Sequence, residues 1–479
     1  VITLVDTLIG SLPQNNNLHV MGYSIMECQA IILAAGKGTR MKSQLPKVLH
    51  CLAGRPLLTH VMDVAEHMGS GSPIVIIGHE ADQIRAKFAH TAAQWVQQKE
   101  QLGTGHAVQQ ALHYINDDAM VLILYGDVPL ILPETLRAFV AHVGQASMGV
   151  LTFRADDPTG YGRIIQDGSG GISAIIEEKD ASSQERLINE CNSGIYLARG
   201  SLLKHLLPAL SKDNVQQEYL LTDLVALANA ENERVVSFVV PEPEEVSGIN
   251  DRAQLAVLER YYQQRQASKL MRAGTTLADP ARFDLRGRLT VGRDVFIDVN
   301  VIVEGEVFIG DEVHIGANCI LRDVSIERGT AVLPFTYIDG GEIGPECQIG
   351  PFARVRPGSS FASGVKVGNF VETKKTMVGK NSKINHLSYV GDATLGERVN
   401  VGAGTITCNY DGVNKHKTQI ENDVFVGSNS ALVAPVRLGA GSTIAAGSTI
   451  DSDAPAGKLT LARSRQKTHE TWQRPEKPK

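Results

Sequence analysis

No stretch of this chain holds eighteen consecutive apolar residues, so nothing in it reads as a transmembrane helix. Basic residues are not in excess: the formal net charge is -6 over 479 residues, which argues against a general nucleic-acid binder. The six cysteines (Cys28, Cys51, Cys191, Cys319, Cys347, Cys408) are scattered, with no C-x-x-C pair and no His/Cys cluster at zinc spacing. They read as reduced thiols of a cytoplasmic protein. Two phosphate-binding fingerprints are also missing. No G-x-x-x-x-G-K-[ST] occurs, and the pair Gly36 and Gly38 lacks the third glycine of a dinucleotide loop. Residues 1–20, VITLVDTLIGSLPQNNNLHV, contain Asp6 and no basic n-region, so they do not read as a signal peptide. Residues 1–25 are expected to be a disordered extension, with natural initiation at Met21 or Met26.

The length calls for two or three domains. From Cys28 to about Asn250, strand-like runs (IVIIG, MVLILYGDVPL, MGVLTF, RVVSFVV) alternate with helical stretches such as PLLTHVMDVAEHMG, which predicts an α/β domain with a largely parallel sheet. Its first strand, Ala30 to Leu33, runs into the glycine-rich and basic segment AAGKGTR. Lys37, Arg40 and Lys47 crowd within eleven positions, a costly arrangement unless anions come to them. In such sheets ligands gather at the carboxyl ends of strands, where both this loop and the YGDVPL turn fall. A Gly-Asp pair after a strand is also a common turn, and Asp127 gains its interest from that position. A helical connector follows, DRAQLAVLERYYQQRQASKLMRAG, with Leu255, Leu258 and Tyr262 at helical spacing and Gly274 at its end.

Beyond the connector the period changes. Apolar residues recur every six positions from Val291 through Ile297, Val303, Ile309, Ile315 and Leu321, and the series continues to Ile450. Such a repeat reads as a parallel β-helix whose coils are three short strands joined at corners. Twenty-seven repeat positions make about nine coils and, at roughly 4.8 Å per coil, a prism about 40 Å long. Five-residue steps follow Leu321, Ile338, Thr373 and Val390, and a thirteen-residue step follows Thr407; each falls on every third member of the series. The loop CNYDGVNKHKTQ (408–419) is therefore predicted to leave the same edge of the prism as the tightened corners. The register also stacks His386, Ala403, Ser428 and Ala446 on successive coils, a track of small residues ending in a histidine and suited to a thin extended ligand. Arg356 and Lys374 stack on another face, two cations that call for an anion such as a phosphate.

LAAGKGTRM with PKVLH, EQLGTGHA, YGDVPL, DPTGYGRI, ECNSG, VGNFVETKK, HLSYVGD and GAGTITCNYDG together resemble the bifunctional bacterial N-acetylglucosamine-1-phosphate uridylyltransferase / glucosamine-1-phosphate N-acetyltransferase family, from about residue 26 to the C-terminus. The resemblance implies an α/β fold class. A Rossmann-like nucleotidyltransferase domain (26–250) would be followed by a long helical linker (251–273). A left-handed parallel β-helix of hexapeptide repeats (274–460) and a basic tail (461–479) would complete the chain. It implies acetyl transfer from acetyl-CoA to glucosamine-1-phosphate, then uridylyl transfer from UTP, giving UDP-N-acetylglucosamine for peptidoglycan and lipopolysaccharide. A cytoplasmic homotrimer is implied as well, its acetyltransferase sites drawing on neighbouring chains.

The family pattern places Arg40 and Lys47 on the nucleotide phosphates, Leu33 and Gly36 among the UTP-binding residues, and Gln98, Gly103 and Thr104 around the uracil. Tyr125, Gly162, Glu177 and Asn192 would hold the sugar, and Asp127 and Asn250 magnesium. In the β-helix it places Arg356, Lys374, Tyr389 and Asn400 on glucosamine-1-phosphate and Ala403, Asn409, Tyr410, Ser428, Ala446 and Arg463 on CoA. His386 would be the general base for the attacking amine, a task suited to a pKa near neutrality. Direct attack needs no covalent relay, so Cys408 is not expected to carry an acyl group. Ser193 and Thr373 depart from the family's Thr and Met at positions with no ligand role. Two rival readings are a nucleotidyltransferase of another sugar with the β-helix as an assembly module, and a non-catalytic scaffold. Intact Arg40, Lys47 and Asp127 argue against the scaffold, and His386 with Arg356 and Lys374 argues against an inert β-helix.

Overall fold

In the computed structural model, the described residues are 28–69, 71–168 and 170–475; the expectation for residues 1–25 lies outside them. The chain forms two compact units. One runs to His50 and from Pro56 to Leu255, and the other holds Cys51–Arg55 and everything from Ala256.

The first unit is built on a mixed sheet. Its strands are β1 (Cys28–Ala34), β2 (Ile74–Ile77), β3 (Gln94–Gln97), β4 (Met120–Tyr125), β5 (Met148–Arg154), β6 (Arg163–Gln166), β7 (Ile172–Ile176), β8 (Glu190–Arg199) and β9 (Val235–Val239). The order across the sheet is β9-β5-β8-β4-β1-β2-β3, with β6 and β7 a hairpin attached to β8. Pairs β1/β2, β1/β4, β2/β3 and β9/β5 are parallel, and β8 runs antiparallel to both β4 and β5. The continuous apolar runs noted in the sequence are the central strands: Ile31, Ile32, Ile76, Val121 and Leu122 are fully buried. Both faces of the sheet are covered, as such runs require. Because β2 and β4 flank β1 on opposite sides, the connections diverge there and leave a crevice at the carboxyl ends of β1 and β4.

The helical connector is the helix Arg252–Arg272. From Ala256 onward it belongs to the second unit, where Leu258, Gln263 and Ala267 are buried. Gln263 fixes it to the first long strand of that unit, donating to the Leu285 carbonyl (2.9 Å) and accepting from the Leu285 N–H (2.7 Å).

The rest of the second unit is a parallel β-helix, and the sixfold period gives its register. Val291, Ile309, Ile326 and Ile343 head one column of paired residues, Ile297, Ile315, Val332 and Ile349 a second, and Val303, Leu321, Ile338 and Val355 a third. Each column continues to the last coils at Leu438, Ile444 and Ile450. Every repeat position except the half-buried Val291 is buried. The tightened steps and the loop 408–419 all lie between the third column and the first, on one edge, as the register predicts. Another edge turns through residues with positive φ on successive coils: Asn300, Asn318, Phe335, Phe352, Phe370 and Leu387, then Gly404, Asn429 and Gly447. No helix among the described residues is long and apolar enough to cross a membrane.

Candidate functional site

The crevice of the first unit is a cavity of about 280 Å³. Leu33, Gly36, Lys47, Gln98, Gly103, Thr104, Tyr125 and Asp127, eight residues named from the sequence, all line it. The Leu33 carbonyl accepts from the Gly126 N–H (2.9 Å), which ties the YGD turn to the end of β1. The two glycines of the loop differ. At Gly36 an added Cβ would meet nothing within 4 Å, so the backbone there faces the open space of the cavity. Gly38 has φ 61°, and an added Cβ would lie 2.7 Å from Lys47 Cβ. Gly38 thus makes room for Lys47.

Lys47 is the hub of the end assigned to the phosphates. Its ammonium pairs with the Asp127 carboxylate and donates to Asn250 Oδ1 (2.9 Å), and Arg40 donates to the same oxygen (2.8 Å). Asn250 reaches this point because the Ile249 N–H bonds to the Asp127 carbonyl (3.0 Å), which aligns segments far apart in sequence. Two hard oxygens thus converge on cations. Magnesium is commonly held by one or two protein oxygens together with substrate phosphates, and the pair fits that pattern. The described residues contain no group of three or more His, Cys, Asp or Glu side chains that could hold a metal unaided.

The sugar-assigned residues gather on the hairpin side. Glu177 follows β7, and Asn192 sits where the β8 register slips against β5. The Asn192 N–H donates to the Gly162 carbonyl (2.9 Å), while its side chain accepts from the Gly194 N–H and donates to the Tyr196 hydroxyl (2.9 Å each). An added Cβ on Gly162 would stand 3.6 Å from both Asn192 and Glu177. Burial raises the Glu177 pKa above the ordinary glutamate value, opposed by the Thr222 hydroxyl that donates to it (3.3 Å). Tyr125 joins the two ends: burial and the nearby Asp127 and Glu177 charges raise its pKa, and its hydroxyl also bonds to Thr104. Gln101 and Glu218 line the cavity too and went unnamed in the sequence. Gln101 lies inside EQLGTGHA, but nothing about QQEYLLTD marks Glu218. Ser193, outside the ligand set, donates to the Leu151 carbonyl (2.6 Å).

The β-helix carries a second cluster. Arg356 pairs with Glu372 (2.9 Å). The neighbouring Lys415 ammonium, with lesser help from burial and Arg356, lowers the Lys374 pKa, and Asp392 opposes the shift. Asn409 donates to Asp392 (2.5 Å) and to the Tyr389 hydroxyl (3.5 Å), and an added side chain on Gly391 would collide with that hydroxyl. His386 Nδ1 lies 2.9 Å from Asn369 Oδ1. An amide oxygen can only accept, so Nδ1 carries the proton and the Nε2 lone pair is left to act as a base. Further along the same column Arg463 donates to the Ala446 carbonyl (2.8 Å), closing the track of Ala403, Ser428 and Ala446. Tyr410 is exposed on the loop. Asn400 sits in the Lys383–Phe425 column and shares no hydrogen bond with the Arg356 cluster among the described residues.

Sequence reasoning missed Asn369 and Lys415. Asn369 stands two places after Val367 and so extends the His386 column downward by one coil. Lys415 lies in the thirteen-residue step, where the period is silent.

A crevice with cations and paired oxygens on a mononucleotide-type sheet, followed by a hexapeptide β-helix with a histidine beside a track of small residues, defines a nucleotidyltransferase joined to an acyltransferase. Residues 30–277 match the MobA-like NTP transferase domain, and residues 417–452 match the bacterial transferase hexapeptide (six repeats). Relatives named Bifunctional protein GlmU cover nearly the whole chain. The one from Methylococcus capsulatus is 54% identical over 94% of this chain and 98% of its own length. That of Marinobacter nauticus is 53% identical over 93% and 98%, and that of Acinetobacter baumannii 52% over 95% and 100%. The chain belongs to the family of bifunctional GlmU proteins, and it is an enzyme with both a uridylyltransferase and an acetyltransferase activity.

Proposed function

We propose that the chain makes UDP-N-acetylglucosamine from glucosamine-1-phosphate, acetyl-CoA and UTP, with the two steps divided between the units. The domain limits are those of the family pattern: 26–250 for uridylyl transfer, 251–273 as linker and 274–460 for acetyl transfer. The observation that carries the reading is the convergence of Lys47, Asp127, Asn250 and Arg40 at the carboxyl ends of β1 and β4.

In acetyl transfer the amine nitrogen attacks the thioester carbonyl carbon, its proton passes to His386 Nε2, and the C–S bond breaks to release the CoA thiol. Asn369 holds the ring in the tautomer this needs. Arg356, Lys374 and Tyr389 seat the sugar phosphate, whose negative charge relieves the repulsion among the cations. Ala403, Ser428 and Ala446 leave room for the pantetheine arm, with Asn409, Tyr410 and Arg463 along its course.

In uridylyl transfer a phosphate oxygen of N-acetylglucosamine-1-phosphate attacks the α-phosphorus of UTP, and the bond to the departing pyrophosphate breaks. The nucleophile is already ionised, so catalysis rests on positioning and charge. Arg40 and Lys47 neutralise the pyrophosphate, Gln98, Gly103 and Thr104 hold the base, and Tyr125, Gly162, Glu177 and Asn192 hold the sugar. Asp127 and Asn250 would hold magnesium, which supplies further charge neutralisation on the phosphate oxygens when bound.

A homotrimer is proposed as well. The rings of Phe335, Phe352 and Phe370 stack at 5.0 and 5.3 Å with interplanar angles of 3° and 15° on an exposed edge, with Leu387 next on that edge. All four have positive φ, a conformation that costs bulky residues about 1–2 kcal/mol. An exposed apolar ladder held at that cost beside His386 supports packing against a second copy that completes the acetyltransferase site. The free cysteines and the nucleotide and thioester substrates support a cytoplasmic setting.

The test incubates the protein with glucosamine-1-phosphate, acetyl-CoA, UTP and magnesium, following free thiol and pyrophosphate separately. Both should appear, pyrophosphate after thiol; pyrophosphate without any thiol would overturn the two-step reading. For the trimer, Phe352→Asp should lower the mass measured by light scattering, and an unchanged mass sinks that assignment.

A further inference from the structure

Gln98 lines the cavity assigned to the nucleotide, and its amino group is engaged by the protein itself. The Gln98 Nε2 donates to the Gly103 carbonyl (3.1 Å) and lies 3.0 Å from His106 Nδ1. The other ring nitrogen, His106 Nε2, lies 3.1 Å from Gln110 Nε2, which also reaches the His106 carbonyl (3.1 Å). A neutral imidazole has one lone pair, so it accepts from one of these two amides only. Gln98 is 3% exposed, and a buried N–H left without an acceptor costs about 1–3 kcal/mol. Gln110 is half-buried and can turn its amide toward solvent or present its oxygen to an N–H. The lone pair therefore belongs at Nδ1, facing Gln98. His106 is itself held by stacking on Tyr219, with ring centroids 6.1 Å apart at 27°.

With both amino hydrogens committed, the carboxamide of Gln98 has only its oxygen to offer the cavity. An oxygen accepts from a ring nitrogen that carries a proton, as in uracil, and repels one that carries a lone pair, as in cytosine. We propose that His106, which lies outside the cavity lining, is a positioning residue that orients the Gln98 amide and so makes the nucleotide site select a uracil over a cytosine nucleotide. The inference rests on the assignment of this cavity to UTP.

The experiment measures kcat/KM for pyrophosphate release with UTP and with CTP. His106→Phe keeps a ring against Tyr219 and removes the lone pair; the UTP-over-CTP ratio should fall about tenfold, the worth of one hydrogen bond. His106→Asn offers an amide oxygen near the place of Nδ1 and should retain most of the ratio. Equal losses with both nucleotides in His106→Phe, or a ratio lost as fully in His106→Asn, would show a merely structural histidine and overturn the inference. Gln98→Ala separates the two levels. If it collapses the ratio while His106→Phe does not, the positioning role alone fails; if it leaves the ratio intact, the assignment of the base site fails with it.

Discussion

Gly36 and Gly38 stand two residues apart and are glycine for different reasons, which makes their alanine variants diverge. Gly36→Ala meets no protein atom, so its melting temperature should match the parent while KM for UTP rises. Gly38→Ala carries the left-handed penalty of about 1–2 kcal/mol and pushes on Lys47, so both melting temperature and kcat should fall. Calorimetry with the pyrophosphate assay checks the pair, and a destabilised Gly36→Ala would contradict the open space beside it. Glu177 gives a pH-dependent case. Burial raises its folded pKa above the unfolded value, so the folded state binds more protons and stability falls as pH rises from about the unfolded value through the folded one. Glu177→Gln cannot ionise. Its melting temperature should exceed the parent's at neutral pH, with the difference shrinking toward pH 4, and KM for the sugar phosphate should rise. A difference independent of pH would remove burial as the cause. At this scale the sequence showed which residue types gather at the crevice. It did not show that Asn250 orients through Lys47 and Arg40, because the Ile249–Asp127 bond that places it has no local signal.

Among elements, the β-helix was the most legible part of the chain, since one inward residue per short strand leaves a period that survives in a single sequence. Pairing follows that period coil by coil, and even its irregular steps fall on one edge. The edge with Phe335, Phe352 and Phe370 was not read, although the phenylalanines recur at about one coil, because their positive φ leaves no trace in polarity. In the first unit alternation of strand and helix was readable, whereas the antiparallel β8 was not: its burial on both faces gives it the same apolar run as a parallel strand. Thr373 tests how much the inner columns depend on pure hydrophobic stacking. It is fully buried between Val355 and Val390, and its hydroxyl lies 3.3 Å from that of Ser359, which itself donates to the Arg356 carbonyl (2.9 Å). Thr373→Val keeps the shape and leaves the Ser359 donor satisfied, so stability should hold or rise by up to about 1 kcal/mol. A clear drop in melting temperature would mean that the hydroxyl pair, and not the methyl stack, holds this coil.

In the molecule as a whole, the residues that one chain gives to a proposed site come from one unit: Leu33 through Asn250 from the first, Arg356 through Arg463 from the second. Loss of one site should therefore leave the other intact. Asp127→Ala removes an oxygen from the phosphate end and should abolish pyrophosphate release while thiol release continues at the parent rate. His386→Ala removes the base and should do the reverse, because its partner Asn369 and its column belong to the β-helix. The two inactive variants also bear on how the reactions connect. The product of the first step, N-acetylglucosamine-1-phosphate, is the nucleophile of the second, so a mixture of Asp127→Ala and His386→Ala proteins should make UDP-N-acetylglucosamine from glucosamine-1-phosphate after a lag. The lag should shorten as the His386→Ala protein, which consumes the intermediate, is added, and the final rate should rise with the Asp127→Ala protein, as expected for an intermediate that crosses solvent. No product from the mixture, with each half-reaction intact in its own variant, would mean that the intermediate must be handed over within one assembly.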